Sequence, residues 1–205
     1  MEQINILASK LFSNLLKDAV AEDIFAQKTK IALEWYKSKI LKLSGTIAAD
    51  EIVTDETSRR ELPNPGGLFM FHYRAKHRNK LPYYDEAPLV LVLDDGVKNG
   101  FLGLNFHYLA ANHRAIFMNA LYSYEDYDTN AKETIININY DTLKSTNALR
   151  FYKPCIKKYL YSHLTGTFMH RILPVEWEIA LFLPTQKFVG APYSKVLSES
   201  SKLIG

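Results

Sequence analysis

The chain has 205 residues, enough for one domain with extensions and a sizeable core. Its 47 % hydrophobic and 23 % charged residues are an ordinary globular composition, and a net charge of +3 is too small to indicate nucleic-acid binding by itself. A single cysteine excludes an internal disulfide and most cysteine-based zinc sites, and no apolar run approaches the roughly 20 residues of a membrane span.

The first part of the chain is predicted to be helical. Apolar residues recur at roughly helical spacing over 4–43, and Gly45 is a plausible helix stop. The N-terminus lacks a basic start followed by a long apolar run, so no signal peptide is predicted. We therefore expect three parts: a helical arm at 1–45, a linker at 46–65 and a core domain at 66–205.

The strongest local signals lie between Pro63 and Leu109. Residues 68–73, 89–93 and 101–108 are predicted to be strands, and the continuous apolar run at 89–93 is typical of a strand covered on both faces. A basic turn separates the first two strands, while Asp, Asn and Gly residues supply turns between the last two. The pattern predicts a small antiparallel meander with an aromatic face and a cationic tip.

The C-terminal half predicts further helices. Residues 110–122, 155–164, 175–183 and 192–203 are expected to be helical, whereas 135–140 slightly favours a strand and 168–173 is expected to be extended. The predicted fold class is thus α+β, with a small antiparallel β-meander packed with N-terminal and C-terminal helices. One core is expected to contain Leu91, Leu93, Phe101, Trp177, Ile179 and Phe182.

Charge is distributed unevenly along the chain. Residues 57–80 and 148–171 each carry a balance of +5, and the intervening 81–147 carries −5. Basic segments interleaved with aromatic rings are typical of a groove that follows a phosphate backbone. Two solvated edges, or pairing with the acidic middle, would explain the pattern equally well. The candidate nucleic-acid-binding residues are Arg59, Arg60, Arg74, Lys76, Arg78, Lys80, Arg150, Lys153, Lys157 and Lys158.

No pattern in the sequence predicts catalysis. The six histidines have no metal-ligand spacing, and no phosphate-binding glycine motif is present, so neither a metal nor a cofactor is predicted. Cys155 could formally be a nucleophile, but an apolar surrounding favours a packing role. The pairs Asp85-Glu86 and Asp94-Asp95 are explained by turn and capping duty. We therefore expect a protein that is not an enzyme.

Four segments resemble a known family. The runs LPYYDEAPLVLVL, GFLGLNFHYL, FYKPCIKKYLYSH and EWEIALFLPTQKF are similar to virion proteins of large contractile-tailed, T-even-like phages, the DNA end protector or head-completion family. This resemblance spans about residues 66–203. It implies a late-assembly virion protein that is assembled in the host cytoplasm. It also implies that the protein protects the end of the packaged DNA at the portal vertex, beside portal or neck proteins.

Two functions remain open from the sequence. The first is a protein that binds the DNA terminus, with its two basic segments on one surface. The second is a purely structural neck or tail component that does not bind DNA. Clustering of the basic residues on one face would favour the first, whereas a large apolar patch with dispersed lysines would favour the second. Homo-oligomerisation is possible in either case, and no membrane partner is expected.

Overall fold

The computed structural model describes residues 60–110, 113, 114, 117, 125, 126, 135, 136, 152–165, 169–172, 177–183 and 185–204. The predicted helix at 4–43 lies outside the described residues. The division into arm, linker and core therefore stays a prediction, although the first described strand begins inside the predicted linker at Arg60.

The described part of the chain is an α+β structure, as predicted. Six strands form one antiparallel sheet in the order β1-β9-β2-β4-β5-β8, and two further pairs are β3 with β10 and β6 with β7. The adjacent strands β2, β4 and β5 are the predicted meander. The strands are β1 (Arg60–Glu61), β2 (Leu68–Met70), β3 (Tyr84–Asp85), β4 (Leu89–Asp94), β5 (Gly100–Asn105), β6 (Glu125–Asp126), β7 (Ile135–Ile136), β8 (Ile156–Leu160), β9 (Met169–Ile172) and β10 (Phe188–Val189).

Among the described residues, the α-helices α1 (Trp177–Phe182) and α2 (Tyr193–Ile204) follow strand β9, where the sequence predicts them. Short 3₁₀ helices occupy Phe106–Tyr108, Lys153–Cys155 and Tyr161–His163. His113, Arg114 and Phe117 are helical, in agreement with the helix predicted at 110–122. Ile135 and Ile136 form a strand, as favoured, and they pair with Glu125 and Asp126.

Strand β4 is buried on both faces, as its apolar run predicts. Its residues 89–93 are all buried. Val90 and Val92 face an aromatic cluster, and the alternation of a strand points Leu91 and Leu93 to the opposite side. The prediction of a single core is therefore wrong for Phe101, which belongs to the cluster with Val90 and Val92.

Trp177 is buried, as the core prediction requires. Only 2 % of the residue is exposed, and its Nε1 donates a hydrogen bond of 3.1 Å to the carbonyl oxygen of Ile172 at the end of β9. Leu91, Leu93 and Phe182 are buried too, while the side chain of Ile179 lies outside the described residues.

The helix predicted at 155–164 is wrong, because residues 156–160 form the edge strand β8 against β5. The apolar residues of this segment have helical spacing, which predicted a helix. The segment is a strand because it pairs with β5, which lies more than fifty residues earlier. Gly100 of β5 makes the pairing possible: a Cβ at this position would collide with the backbone of Tyr159.

The sheet curls so that β8 approaches the chain that leaves β2. Strands β2 and β8 are three places apart in the strand order, which is roughly 14 Å in a flat sheet. The rings of Phe71 and Tyr159 nevertheless lie 5.1 Å apart, and the backbone N–H of Leu160 donates to the hydroxyl of Tyr73 at 3.3 Å. The curl therefore brings together two segments whose contacting residues Tyr73 and Leu160 are 87 positions apart in the chain.

The chain that follows β8 holds this arrangement. The N–H of Arg74 donates to the carbonyl of His163 at 2.9 Å, and the N–H of Thr165 donates to that of His72 at 3.1 Å. Residues 163–165 thus run beside the extension of β2, next to the predicted basic turn.

Candidate nucleic-acid interface

A cleft of about 440 Å³ opens between the segment 73–85 and strand β8. Its lining combines tyrosine rings, basic side chains and two buried polar residues. The residues that line it are Tyr73, Ala75, Lys76, His77, Leu81, Tyr83, Tyr84, Asp85, Asn105, Tyr108, Lys157, Lys158, Tyr159 and Leu160.

The rim of the cleft is cationic on two sides. Lys76 and His77 come from the basic turn, which we define as residues 74–80, and Lys157 and Lys158 come from β8. These groups belong to the two basic segments of the sequence, so the curl of the sheet brings part of both segments to one site.

The basic turn projects its charges into solvent. Its backbone is closed by hydrogen bonds from the N–H of Arg78 to the carbonyl of Ala75 and from that of Lys80 to the carbonyl of His77. The side chains of its four lysines and arginines are exposed, and none of the ion pairs between described residues involves them. Their charge is therefore not neutralised by a neighbouring described carboxylate.

Lys157 is a different kind of cation. It is only partly exposed, and its Nζ lies 4.3 Å from the centre of the Tyr108 ring, in a cation–π contact. Burial lowers the pKa of Lys157, and the nearby Cys155 partly opposes this effect. Loss of hydration makes such an ammonium group a favourable partner for an anion.

Cys155 has the packing role that was predicted for it. The residue is fully buried, and burial raises the pKa of its thiol to about 12, although Lys157 and Arg114 act in the opposite direction. The thiol is consequently protonated near neutral pH and is a poor nucleophile.

Tyrosine rings form the walls of the cleft. Tyr108 packs edge to face against Phe188 at 5.1 Å, and Tyr73 packs edge to face against Tyr159 at 5.0 Å. Tyr84 is half-buried against the aromatic cluster and has no ring partner among the described residues. Burial, reinforced by the carboxylate of Asp85, raises the pKa of Tyr108 and of Tyr159, so both phenols stay neutral.

Asp85 and Asn105 form a polar floor that the sequence analysis missed. Oδ2 of Asp85 lies 2.8 Å from Nδ1 of His107 and accepts a hydrogen bond of 2.9 Å from Nδ2 of Asn105, and Nε2 of His107 lies 3.1 Å from Oγ1 of Thr185. Asp85 does perform the predicted turn duty, since its Oδ1 accepts from the N–H of Ala87 at 3.2 Å. No sequence spacing links residues 85, 107 and 185, so only the fold reveals their contact.

The order Asp85, His107, Thr185 is that of an acid–base–hydroxyl triad, but its burial argues for a structural role. These residues are 4 %, 0 % and 2 % exposed, so a substrate could not touch the threonine oxygen. Burial lowers the pKa of His107, and the charge of Asp85 only partly opposes this effect, so the imidazole is neutral near pH 7. The hydrogen bonds fix β3 to the end of β5 and to the chain before β10.

The other candidate binding residues are more dispersed. Arg60 lies on β1, at the opposite end of the strand order from β8, and Lys153 is exposed in the 3₁₀ helix before β8. Arg59 and Arg150 lie outside the described residues. Nucleic-acid binding by any of these residues stays a prediction.

No three histidine, cysteine or acidic side chains in the described part of the chain are arranged to hold a metal ion. No described helix combines the length and the apolar character that a membrane crossing requires.

Comparison with protein families identifies the chain as a bacteriophage protein of the class that acts at DNA termini. It belongs to the family described as phage T4 terminal DNA protecting protein, whose family model matches residues 2–199. The match thus confirms the resemblance and extends it through the N-terminal region, beyond the 66–203 expected. Comparisons with curated proteins and with solved structures find no match to this chain.

Proposed function

We propose that this protein binds the terminus of packaged phage DNA and shields it from exonuclease, as a head-completion protein at the portal vertex of the virion. It acts by binding rather than by catalysis, and portal or neck proteins are its protein partners. Membership of a family that protects DNA termini supports this proposal.

The observation that carries the proposal is the convergence of both basic segments on one tyrosine-lined cleft. Lys76 and Lys157 are separated by more than eighty residues in sequence, yet both line it. Unpaired cations attract phosphates, and aromatic rings stack on bases irrespective of sequence. This combination suits a protein that must accept any DNA end. It favours the DNA-binding function over the purely structural neck component.

Salt dependence of DNA binding tests the proposal. The full-length protein is titrated against a linear duplex and against a covalently closed dumbbell of the same length, at several salt concentrations. Tighter binding to the open ends is expected. The variant Arg74→Ala/Lys76→Ala/Arg78→Ala should flatten the log–log salt slope on linear DNA by about two to three, since each phosphate contact contributes roughly 0.9.

A matched control separates local charge from net charge. The variant Lys98→Ala/Lys195→Ala/Lys202→Ala also removes three positive charges, from exposed positions outside both the basic turn and the cleft, and it should leave the slope almost unchanged. Virions that carry the basic-turn variant should package DNA but infect an exonuclease-proficient host poorly and an exonuclease-deficient host normally. Unchanged affinity together with equal infectivity on both hosts would instead indicate a structural neck protein.

A further inference from the structure

The size of the cleft limits which part of a DNA molecule can enter it. Its volume of about 440 Å³ lies at the lower end of the roughly 300–1,000 Å³ that is typical of small-molecule sites. One turn of a duplex is about 34 Å long and cannot be accommodated. A single nucleotide that is not paired with a second strand is of suitable size.

The charges of the cleft define an orientation for such a nucleotide. Lys76, Lys157 and Lys158 lie among the lining residues, and none of them forms an ion pair with a described carboxylate. The Asp85 carboxylate lies at the floor and would repel a phosphate there. The phosphate therefore belongs beside the lysines, and the uncharged base belongs deeper among the tyrosines.

The rings provide surfaces for a base. Tyr83 and Tyr108 lie 6.2 Å apart with their planes inclined by 37°, and Tyr84 has no ring partner in the described part of the chain. Base–aromatic stacking tolerates all four bases, because every base has a π-face.

We infer that the cleft receives one unpaired nucleotide at the DNA terminus, with its base stacked on the tyrosine rings and its phosphate beside Lys157. The inference rests on the proposed function and deepens it. The basic turn holds the adjoining duplex through its phosphates, and the cleft recognises the end itself. A nuclease is thereby denied the nucleotide that it must engage first.

Hairpin DNAs that present a single end test this inference. Four forms are compared with the full-length protein: a blunt end, a one-nucleotide 5′ overhang, a one-nucleotide 3′ overhang and a dumbbell with no end. One overhang polarity should bind roughly fivefold or more tighter than the blunt end, the gain expected from one stacked base. Equal affinity for the blunt end and both overhangs would overturn the inference.

The same series distinguishes this inference from the proposed function. If the dumbbell binds as tightly as every open hairpin, recognition of ends fails altogether. If open hairpins exceed the dumbbell but do not differ among themselves, only the nucleotide cleft fails. An abasic one-nucleotide overhang should lose the advantage, and full retention would refute binding of the base. A free deoxynucleoside 5′-monophosphate should compete only weakly with the overhang DNA. If the free nucleotide bound more tightly than the overhang DNA, the cleft would be a site for free nucleotides and not for a DNA terminus.

Variants locate the effect in the cleft. Tyr84→Ala and Lys157→Met should each bring the overhang-to-blunt ratio towards one, while the controls Tyr161→Ala and Lys98→Met, outside the cleft, should leave it unchanged. Because Tyr84 packs on the aromatic cluster, thermal unfolding of Tyr84→Ala is measured first. If Tyr84→Ala does not fold, Lys157→Met alone tests whether the cleft binds the nucleotide. An unchanged overhang-to-blunt ratio in Lys157→Met would overturn this assignment.

Discussion

The basic turn and the polar floor contribute to the same cleft in opposite ways. The turn places four cations in solvent without described ion-pair partners, whereas Asp85, Asn105 and His107 are buried and hydrogen-bonded to one another. An exposed charge keeps its hydration and remains available to a ligand, while a buried polar group must find its partner within the protein. The rim is therefore suited to binding and the floor to fixing the shape of the cleft.

The difference has a measurable consequence, since substitutions in the two regions should affect different properties. Floor variants should lower the free energy of unfolding, because they leave buried donors without acceptors. Rim variants should alter ligand binding and its salt dependence with little effect on stability.

Replacement of Trp177 by alanine should cause the largest loss of stability among the variants considered. The residue is almost completely buried and holds the end of β9 through its Nε1. Trp177→Ala should reduce the free energy of unfolding by about 3–5 kcal/mol, the usual loss for a buried large ring. Denaturant unfolding measures this loss. A loss below about 1 kcal/mol would mean that the helix α1 contributes little to the core.

Replacement of Asp85 tests the floor directly. Asp85→Ala removes the acceptor for Asn105, His107 and the N–H of Ala87, and should cost about 3 kcal/mol because buried unsatisfied donors are expensive. The same unfolding experiment measures it, with Glu86→Ala as a partly exposed neighbour whose ion pair to Lys187 is worth about 1 kcal/mol or less. Equal losses in both variants would show that the buried hydrogen bonds of Asp85 contribute no more to stability than the exposed ion pair of Glu86.

The sequence predicted the elements better than their contacts. The apolar run of β4 and the apolar pattern of helix α1 are local signals, and both elements were predicted. β8 was mistaken for a helix because its spacing is compatible with both structures, and its partner β5 lies about fifty residues earlier. A strand's identity depends on such distant pairing, which composition does not encode.

In the candidate site too, the sequence indicated the segments but not the contacts between them. The charge pattern identified two basic segments but left their relation open, because their approach depends on the curl of the sheet. The contact between Asp85 and His107 spans 22 residues, and that between His107 and Thr185 spans 78. Individually these residues give no signal, since an aspartate before a turn and an isolated histidine are common in any globular protein.

The buried imidazole of His107, which is hydrogen-bonded to the floor residue Asp85, should make the stability of the protein depend on pH. Burial holds the pKa of His107 below its usual value of about 6.5, so the unfolded chain binds a proton that the folded chain does not. The unfolding free energy should therefore fall as the pH decreases below about 6.5, by at most roughly 1.4 kcal/mol per pH unit from this residue. The slope in His107→Gln should be shallower by that amount.

The unmodified protein and His107→Gln are compared directly. The comparison is made as a difference between unfolding curves at pH 7 and pH 5.5, so that other titrating groups cancel. An unchanged slope in His107→Gln would show that the buried imidazole accepts its proton without cost to the fold.

The smallest effect on stability is expected at the basic turn. In Arg74→Ala/Lys76→Ala/Arg78→Ala, each exposed side chain should change the free energy of unfolding by only about 0.5 kcal/mol or less. The main-chain bond from Arg74 to His163 does not depend on the side chain, and the loss of like-charge repulsion offsets part of the cost at low salt. Unfolding at low and high salt measures both contributions. A loss above about 2 kcal/mol would show that the turn stabilises the fold, and its cations would then no longer be free to serve binding alone.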